Sequence, residues 1–181
     1  KKVFEVYHQE IGRLDKGISD TGDINPLNIA QQQAYSNILQ CFREKNVCLL
    51  HGVTSSGKTE IYIHLIEEVI RQGKQVLYLL PEIALTTQIT ERLKRLFGSR
   101  LGIYHSRYSD AERVEIWKRQ LSDHPYDVIL GARSALFLPF QRLGLVIVDE
   151  EHEQSFKQMD PAPRYHARSA AIILAKFCGA K

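Results

Sequence analysis

The stretch "LLHGVTSSGKTEIY", residues 49–62, passes from an apolar run through two glycines into a pattern with helical spacing. It contains Gly52-x-x-x-x-Gly57-Lys58-Thr59, the spacing of a phosphate-binding loop. Glycines at both ends let the backbone curl, so that successive N–H groups of Val53, Thr54, Ser55, Ser56 and Gly57 turn toward phosphate oxygens. In such a loop Lys58 reaches the β- and γ-phosphates, and the Thr59 hydroxyl ligates Mg2+. A glycine-rich turn that binds nothing can show the same four residues. The flanks argue against it here, because an apolar run before and an amphipathic helix after are what phosphate binding requires.

Outward from this loop the texture is regular. Five short apolar runs are predicted as buried parallel strands: "VCLLH" (47–51), "QVLYLL" (75–80), "LGIYH" (101–105), "DVILGA" (127–132) and "LGLVIVDE" (143–150). Helical patterns lie between and around them at 28–42, 59–72, 84–97, 109–121 and 164–177. Asn28 is the expected N-cap of the first, and Ser109-x-x-Glu112 has the form of a capping box. Strands that are apolar throughout, separated by helices, indicate an α/β fold with a sheet covered on both faces. The expectation is a three-layer α/β/α, RecA-like P-loop domain with a mostly parallel sheet and its nucleotide site at the strands' carboxyl ends. Residues 1–26 are rich in turn formers and are expected to be a linker from a preceding domain, with the lobe running from 27 to 181. The last helical pattern stops at "CGAK", where an α/β repeat would next supply a strand.

Composition narrows the function. With 181 residues, 44% hydrophobic and 25% charged, the chain sits in the range of globular domains. It contains no apolar stretch long enough to span a membrane and no signal-peptide pattern at its start. Cys41, Cys48 and Cys178 are odd in number and lack metal-ligand spacing, so neither a disulfide framework nor a zinc site is expected, and buried, reduced thiols of a cytosolic protein are. A net charge of +3 permits a polyanionic partner without requiring one.

The second half of a nucleotide site should be a carboxylate at the end of a buried strand. "LVIVDEEH" (145–152) supplies it. Asp149 is expected to hold Mg2+ through its water shell, and Glu150 to act as general base on the attacking water. No guanine-reading Asn-Lys-x-Asp run occurs, and a kinase has no need of a Glu directly after the metal-binding Asp. ATP hydrolysis is the favoured chemistry.

"DEEH" resembles the DEAH-type box of superfamily 2 helicases. The set "LNIAQQQA", "GVTSSGKTEIY", "LLPEIALTTQ", "HSRYSDAERVEIW", "GARSALFLPF" and "DEEHEQSFKQMDPAPRYHARSAA" resembles the primosomal protein N′ (PriA-type) family of replication-restart helicases, from Leu27 to about Ala171. The resemblance implies the first of two RecA-like lobes of a bacterial, cytoplasmic, nucleoid-associated, ATP- and Mg2+-dependent 3′-to-5′ DNA helicase for fork restart and primosome assembly. It implies single-stranded and forked DNA as partners, with primosome proteins and single-stranded-DNA-binding protein, and a family zinc site outside this chain. A Ser-Ala-Thr motif is expected on a strand after Lys181, and an arginine from the second lobe is expected to complete catalysis, leaving this lobe nearly inactive alone. The family usually has Gly at Ser55 and Thr at Ala132. A duplex translocase without unwinding, and a non-hydrolysing nucleotide switch or scaffold, are the alternatives.

By the same resemblance Gln31 reads the adenine edge, although Gln32 and Gln33 leave the register open. Arg133 and Ser134 fall on a DNA-facing loop, where Arg133 either grips a phosphate or caps a strand end while paired with an acid. Pro81-Glu82 and Thr86-Thr87 resemble a backbone-contacting motif. Residues 153–168 set Phe156, Lys157, Arg164, Tyr165, His166 and Arg168 beside the carboxylates, and aromatic faces with interleaved cations suit single-stranded DNA. Packing of Phe156 or Tyr165 in the core is the alternative. His105 and His152 lack ligand spacing, so hydrogen bonding is their expected role.

Overall fold

The computed structural model describes residues 22–52, 56–105 and 108–181. Five α-helices are described, α1 (Ile29–Glu44), α2 (Lys58–Arg71), α3 (Thr87–Phe97), α4 (Asp110–Leu121) and α5 (Ala167–Cys178), and four strands, β1 (Gln75–Leu79), β2 (Leu101–Tyr104), β3 (Val128–Gly131) and β4 (Leu143–Val148). Among the described residues the sheet runs β2-β3-β1-β4, with every pairing parallel.

Alternation along the central strand builds two cores. Val76 and Tyr78 join Ile63, Ile66, Leu93, Phe97, Val128 and Leu130 on the face covered by α1, α2 and α3. Leu77 and Leu79 join Ile116, Ile129, Ala167, Ala171 and Ala175 under α4 and α5. The chain crosses two places one way from β1 to β2, then returns by one to β3. Right-handed crossovers in opposite directions put α3 and α4 on opposite faces. This is the three-layer α/β/α arrangement that the apolar strand runs indicated.

The helix ends follow the sequence closely. Asn28 accepts from the Gln31 N–H at 2.9 Å, and Gln31 Oε1 accepts in return from the Asn28 N–H at 2.9 Å. Ser109 and Glu112 make the same reciprocal pair at the start of α4.

One strand expectation is corrected. Residues 47–51, "VCLLH", belong to no strand, and Val47 and Leu49 are 54% and 74% exposed. The reason lies in hydrogen bonding. An extended segment becomes a strand only when a neighbour takes up its N–H and C=O groups. On the outer side of β4 the ladder bonds go instead to Lys181, whose carbonyl accepts from Val146 N–H at 2.8 Å and whose N–H donates to Gly144 O at 3.0 Å. Between 47–49 and β4 lies a groove of about 350 Å3 lined by Phe42, Val146, Val148, Ile172 and Ala175.

The thiols also differ from expectation. Cys178 is exposed, and Cys41 and Cys48 are only half-buried. Of the expected linker, residues 1–21 lie outside the described residues. Residues 22–26 lie on the lobe: Ile24 packs on its core, Gly22 N–H donates to Arg95 O at 2.7 Å, and Asn25 O lies 2.9 Å from His64 Nε2. No helix among the described residues is long and apolar enough to cross a membrane.

Candidate nucleotide site and the loop beside it

The glycine loop begins α2. Gly57 is its N-cap and is left-handed, with φ +80°, a conformation a Cβ disfavours. A Cβ there would also meet Gln31 Nε2 at 2.3 Å, so both backbone and space call for glycine. Lys58 follows as the first helical residue, and its Nζ donates to Gly52 O at 2.8 Å across the loop. Ser56 is exposed, and Thr59 is half-buried in the first turn. Val53, Thr54 and Ser55 lie outside the described residues.

Gln31 lies against this loop. Its Oε1 closes the capping box with Asn28, and its Nε2 donates to Gly57 O at 3.2 Å. Gln32 instead donates to Leu27 O, and Gln33 to Asn37. Of the three glutamines it is therefore Gln31 that touches the loop.

Asp149 directly follows β4, and its N–H still donates to Leu79 O at 3.0 Å. The residue is 9% exposed. Tyr78 donates its phenol to Asp149 Oδ2 at 3.1 Å, Tyr62 donates to Oδ1 at 3.4 Å, and the Glu150 N–H donates to Oδ1 at 3.0 Å. Burial raises the Asp149 carboxyl above its ordinary pKa. The bonds from Tyr78 and the Glu150 N–H oppose that rise, the Glu150 charge adds to it, and Lys58 opposes it. The two tyrosines meet edge to face, with centroids 5.7 Å apart. Burial, followed by the Asp149 charge, raises both phenols, so they remain protonated donors. These tyrosines were missed from sequence. Tyr78, within the apolar run of β1, carried the signal, since a buried phenol needs a partner.

Glu150 is half-buried and has φ +50°, the only non-glycine residue with positive φ among the described residues. Its carboxylate lies 3.7 Å from His152 Nε2. Gly52, Lys58, Tyr62, Asp149, Glu150 and His152 line one cavity of about 210 Å3. The loop glycines and the two acids, some ninety residues apart in sequence, thus meet in one place.

The donor set suits a magnesium nucleotide. All its candidate metal donors are hard oxygens, as Mg2+ prefers. Asp149 has accepted three bonds, and a carboxylate has about four acceptor sites, which leaves room for a metal-bound water.

The residues predicted to meet DNA divide into two groups. Phe156 is 1% exposed and packs with Leu79, Leu136 and Ala167. It is core, and its ring presents no face to a base. That expectation is corrected: an apolar ring beside the sheet gains more by burial than by solvent exposure. Tyr165 is half-buried and packs edge to face on exposed Phe137, centroids 5.2 Å apart.

The cations around them are engaged with the protein. Arg133 donates to the carbonyls of Ser155 and Lys157 at 3.1 and 3.2 Å. It therefore caps the loop's backbone, close to the capping alternative, although its partners are carbonyls and not an acid. Lys157 Nζ donates to Arg164 O at 2.9 Å, and Arg164 Nε donates to Met159 O at 2.8 Å. Arg168 pairs with Glu151. His166 is the N-cap of α5 and forms an antiparallel bridge with Lys157. Ser134 lies half-buried in the 3-10 turn Arg133–Phe137, and Ala132 is 2% exposed. Pro81 is buried, Glu82 is exposed, and Thr86 caps α3. His105 stacks near Tyr108 with centroids 4.1 Å apart. Among the described residues no cluster of three His, Cys, Asp or Glu residues suits a metal ion.

Known proteins resemble this chain over most of its length. The chain is 46% identical over 149 residues to Replication restart protein PriA of Bacillus subtilis, covering 81% of this chain and 18% of that protein. It is 47% identical over 153 residues to the Haemophilus influenzae protein of that name, covering 84% and 21%. For the Synechocystis protein of the same name the figures are 45% over 145 residues, 80% and 17%. The chain thus spans about a fifth of the length of these relatives. The resemblance drawn from the motifs extends over most of the chain. A model of the DEAD/DEAH box helicases matches residues 28–174, from the cap of α1 into α5, and takes in both the loop glycines and the Asp149-Glu150 pair. The chain belongs to the DEAD/DEAH box helicase family.

Proposed function

We propose that this chain is the first, ATP-binding motor lobe of a bacterial DNA helicase that acts in replication restart. The observation that carries the reading is the shared cavity in which Lys58, Asp149 and Glu150 meet beside the N-terminus of α2. Similarity to three replication restart proteins supports the biological setting. Family membership supports nucleotide binding and helicase or ATPase action.

In this reading the loop N–H groups and Lys58 hold the β- and γ-phosphates. Thr59 and, through water, Asp149 would hold Mg2+, which would neutralise charge on the phosphate oxygens. Glu150 accepts the proton of the attacking water. Gln31, fixed against Gly57, is the adenine-edge reader. Arg133, Ser134, Lys157, Arg164, Tyr165 and His166 form the candidate DNA-facing edge, while the Arg168 guanidinium beside them is held by Glu151. Single-stranded and forked DNA are the proposed substrates, translocation is 3′-to-5′, and primosome proteins with single-stranded-DNA-binding protein are the proposed partners. The setting is the bacterial cytoplasm. Residues 27–181, with 22–26 packed on them, form the lobe, to which a second lobe adds the transition-state arginine.

ATP turnover by the full-length protein, with and without single-stranded DNA, tests the motor against a nucleotide switch. Strand displacement on a 3′-tailed duplex then tests unwinding against translocation alone. Absence of DNA-stimulated turnover would overturn the reading.

A further inference from the structure

The backbone at Glu150 is held in a conformation that a residue with a side chain seldom adopts, φ +50°. Such a residue persists only where its surroundings over-determine it. Two of the constraints are local. The Glu150 N–H donates to Asp149 Oδ1 at 3.0 Å, and the Glu150 carbonyl accepts from Glu153 N–H at 2.9 Å. The second lies within the turn itself, and the first reaches the core only on the β4 side, through the Asp149 carboxylate that Tyr62 and Tyr78 hold.

The third constraint holds the residue on the other side of Glu150. Glu151, the next residue, pairs through Oε2 with Arg168 NH1, seventeen residues along the chain. Arg168 is the second residue of α5, and α5 is anchored to the sheet through buried Ala167, Ala171 and Ala175. The pair therefore joins the turn after β4 to a helix that lies firmly on the same strand. Its two side chains are 34% and 45% exposed, so it contributes little to folding. Glu150 and Glu151 are adjacent residues, so a shift of one carboxylate would carry the other.

We propose that the Glu151–Arg168 ion pair is a positioning device for the reaction, fixing the turn so that the Glu150 carboxylate is presented to the cavity shared with Lys58. Arg168 then acts through Glu151, and its guanidinium is not a DNA contact in this state. The inference rests on the reading of Glu150 as general base. It adds two residues that touch neither nucleotide nor metal.

The test uses the full-length protein, with steady-state ATP hydrolysis measured without and with single-stranded DNA. Glu151→Gln and Arg168→Gln are each expected to lower kcat about tenfold in both conditions, since misplacement of a reacting group by about 1 Å can cost up to about 10²-fold. KM for ATP should remain within about twofold, because Lys58 and the loop are untouched. Arg168→Lys, which keeps the charge, should recover part of the loss. The exchange Glu151→Arg with Arg168→Glu should restore kcat relative to either single reversal. Wild-type kcat in both neutral variants would overturn the proposal, and so would a loss seen only with DNA present, which would make Arg168 a DNA contact. Failure of the exchange to rescue would overturn it as well. Glu150→Gln run in parallel separates the two levels. If that variant still hydrolyses ATP, the general-base reading itself fails; if it is inactive while the pair variants are normal, only the positioning role fails.

Discussion

Tyr78 lies in the middle of the central strand and donates its phenol to Asp149 Oδ2 at the end of β4, 3.1 Å away. The two residues are on neighbouring parallel strands, and in that register Tyr78 faces Ile147, two residues before Asp149. The proposed metal-holding carboxylate is thus tied to the core by a hydrogen bond from a fully buried ring.

Removing that donor should be measurable in two ways. Tyr78→Phe keeps the ring but leaves a buried carboxylate with one fewer partner. A bond to a charged acceptor contributes about 1.5–3 kcal/mol, so urea unfolding should show a loss of that order. The Tyr78 bond also holds the Asp149 pKa down against burial, so its loss raises that pKa further. Asp149 must be ionised to act, and the acid limb of the pH profile for ATP hydrolysis should therefore move to higher pH. An unmoved limb would show that Tyr78 does not tune Asp149.

Asp149 itself makes a stability prediction. Its folded pKa is raised, so between the ordinary carboxylate value and the raised one the folded state holds a proton that the unfolded chain has released. Its contribution is then fully present below the ordinary value and is lost as pH rises through the raised one. Asp149→Asn should flatten that dependence and abolish hydrolysis, as read by thermal unfolding across pH without Mg2+.

Lys58→Ala should abolish most ATP hydrolysis in the full-length protein, because it removes the charge that stabilises the β/γ-phosphates. Near-normal turnover would rule out the phosphate-loop assignment.

Glu150→Gln should separate binding from chemistry. Nucleotide affinity should survive, while kcat falls by roughly 10²–10⁴, the usual contribution of a positioned general base. Parallel loss of binding would make Glu150 a metal or structural residue.

The two aromatic residues near the carboxylates should part company. Phe156→Ala empties a core site and should cost about 3–5 kcal/mol in stability, as deletion of a buried ring does. Tyr165→Ala should cost far less and should reduce DNA stimulation of the ATPase, since stacking contributes roughly 1–3 kcal/mol per base. Equal effects of both on stability, with DNA stimulation intact, would remove Tyr165 from the DNA-facing edge.

Much of this was legible in the chain alone. The glycine spacing at 52 and 57, the Asp149-Glu150 pair after an apolar run, and the caps at Asn28 and Ser109 are local chemistry. A left-handed glycine, a capping side chain and an apolar period each need only a few neighbouring residues, so a short stretch of sequence carries the whole cause. The three-layer α/β class follows from the same periods.

Tertiary structure decided what depended on distant partners. Tyr62 and Tyr78 meet Asp149 across 87 and 71 residues, through the pairing of β1 with β4 and the packing of α2 upon them. Phe156 went to the core, and Arg133 to the carbonyls of Ser155 and Lys157, because the turn after β4 folds back beneath the 3-10 turn Arg133–Phe137. "VCLLH" has a strand's composition but stayed outside the sheet, since a strand exists only where a neighbour completes its hydrogen bonds. Propensity belongs to a segment, whereas a partner belongs to the fold.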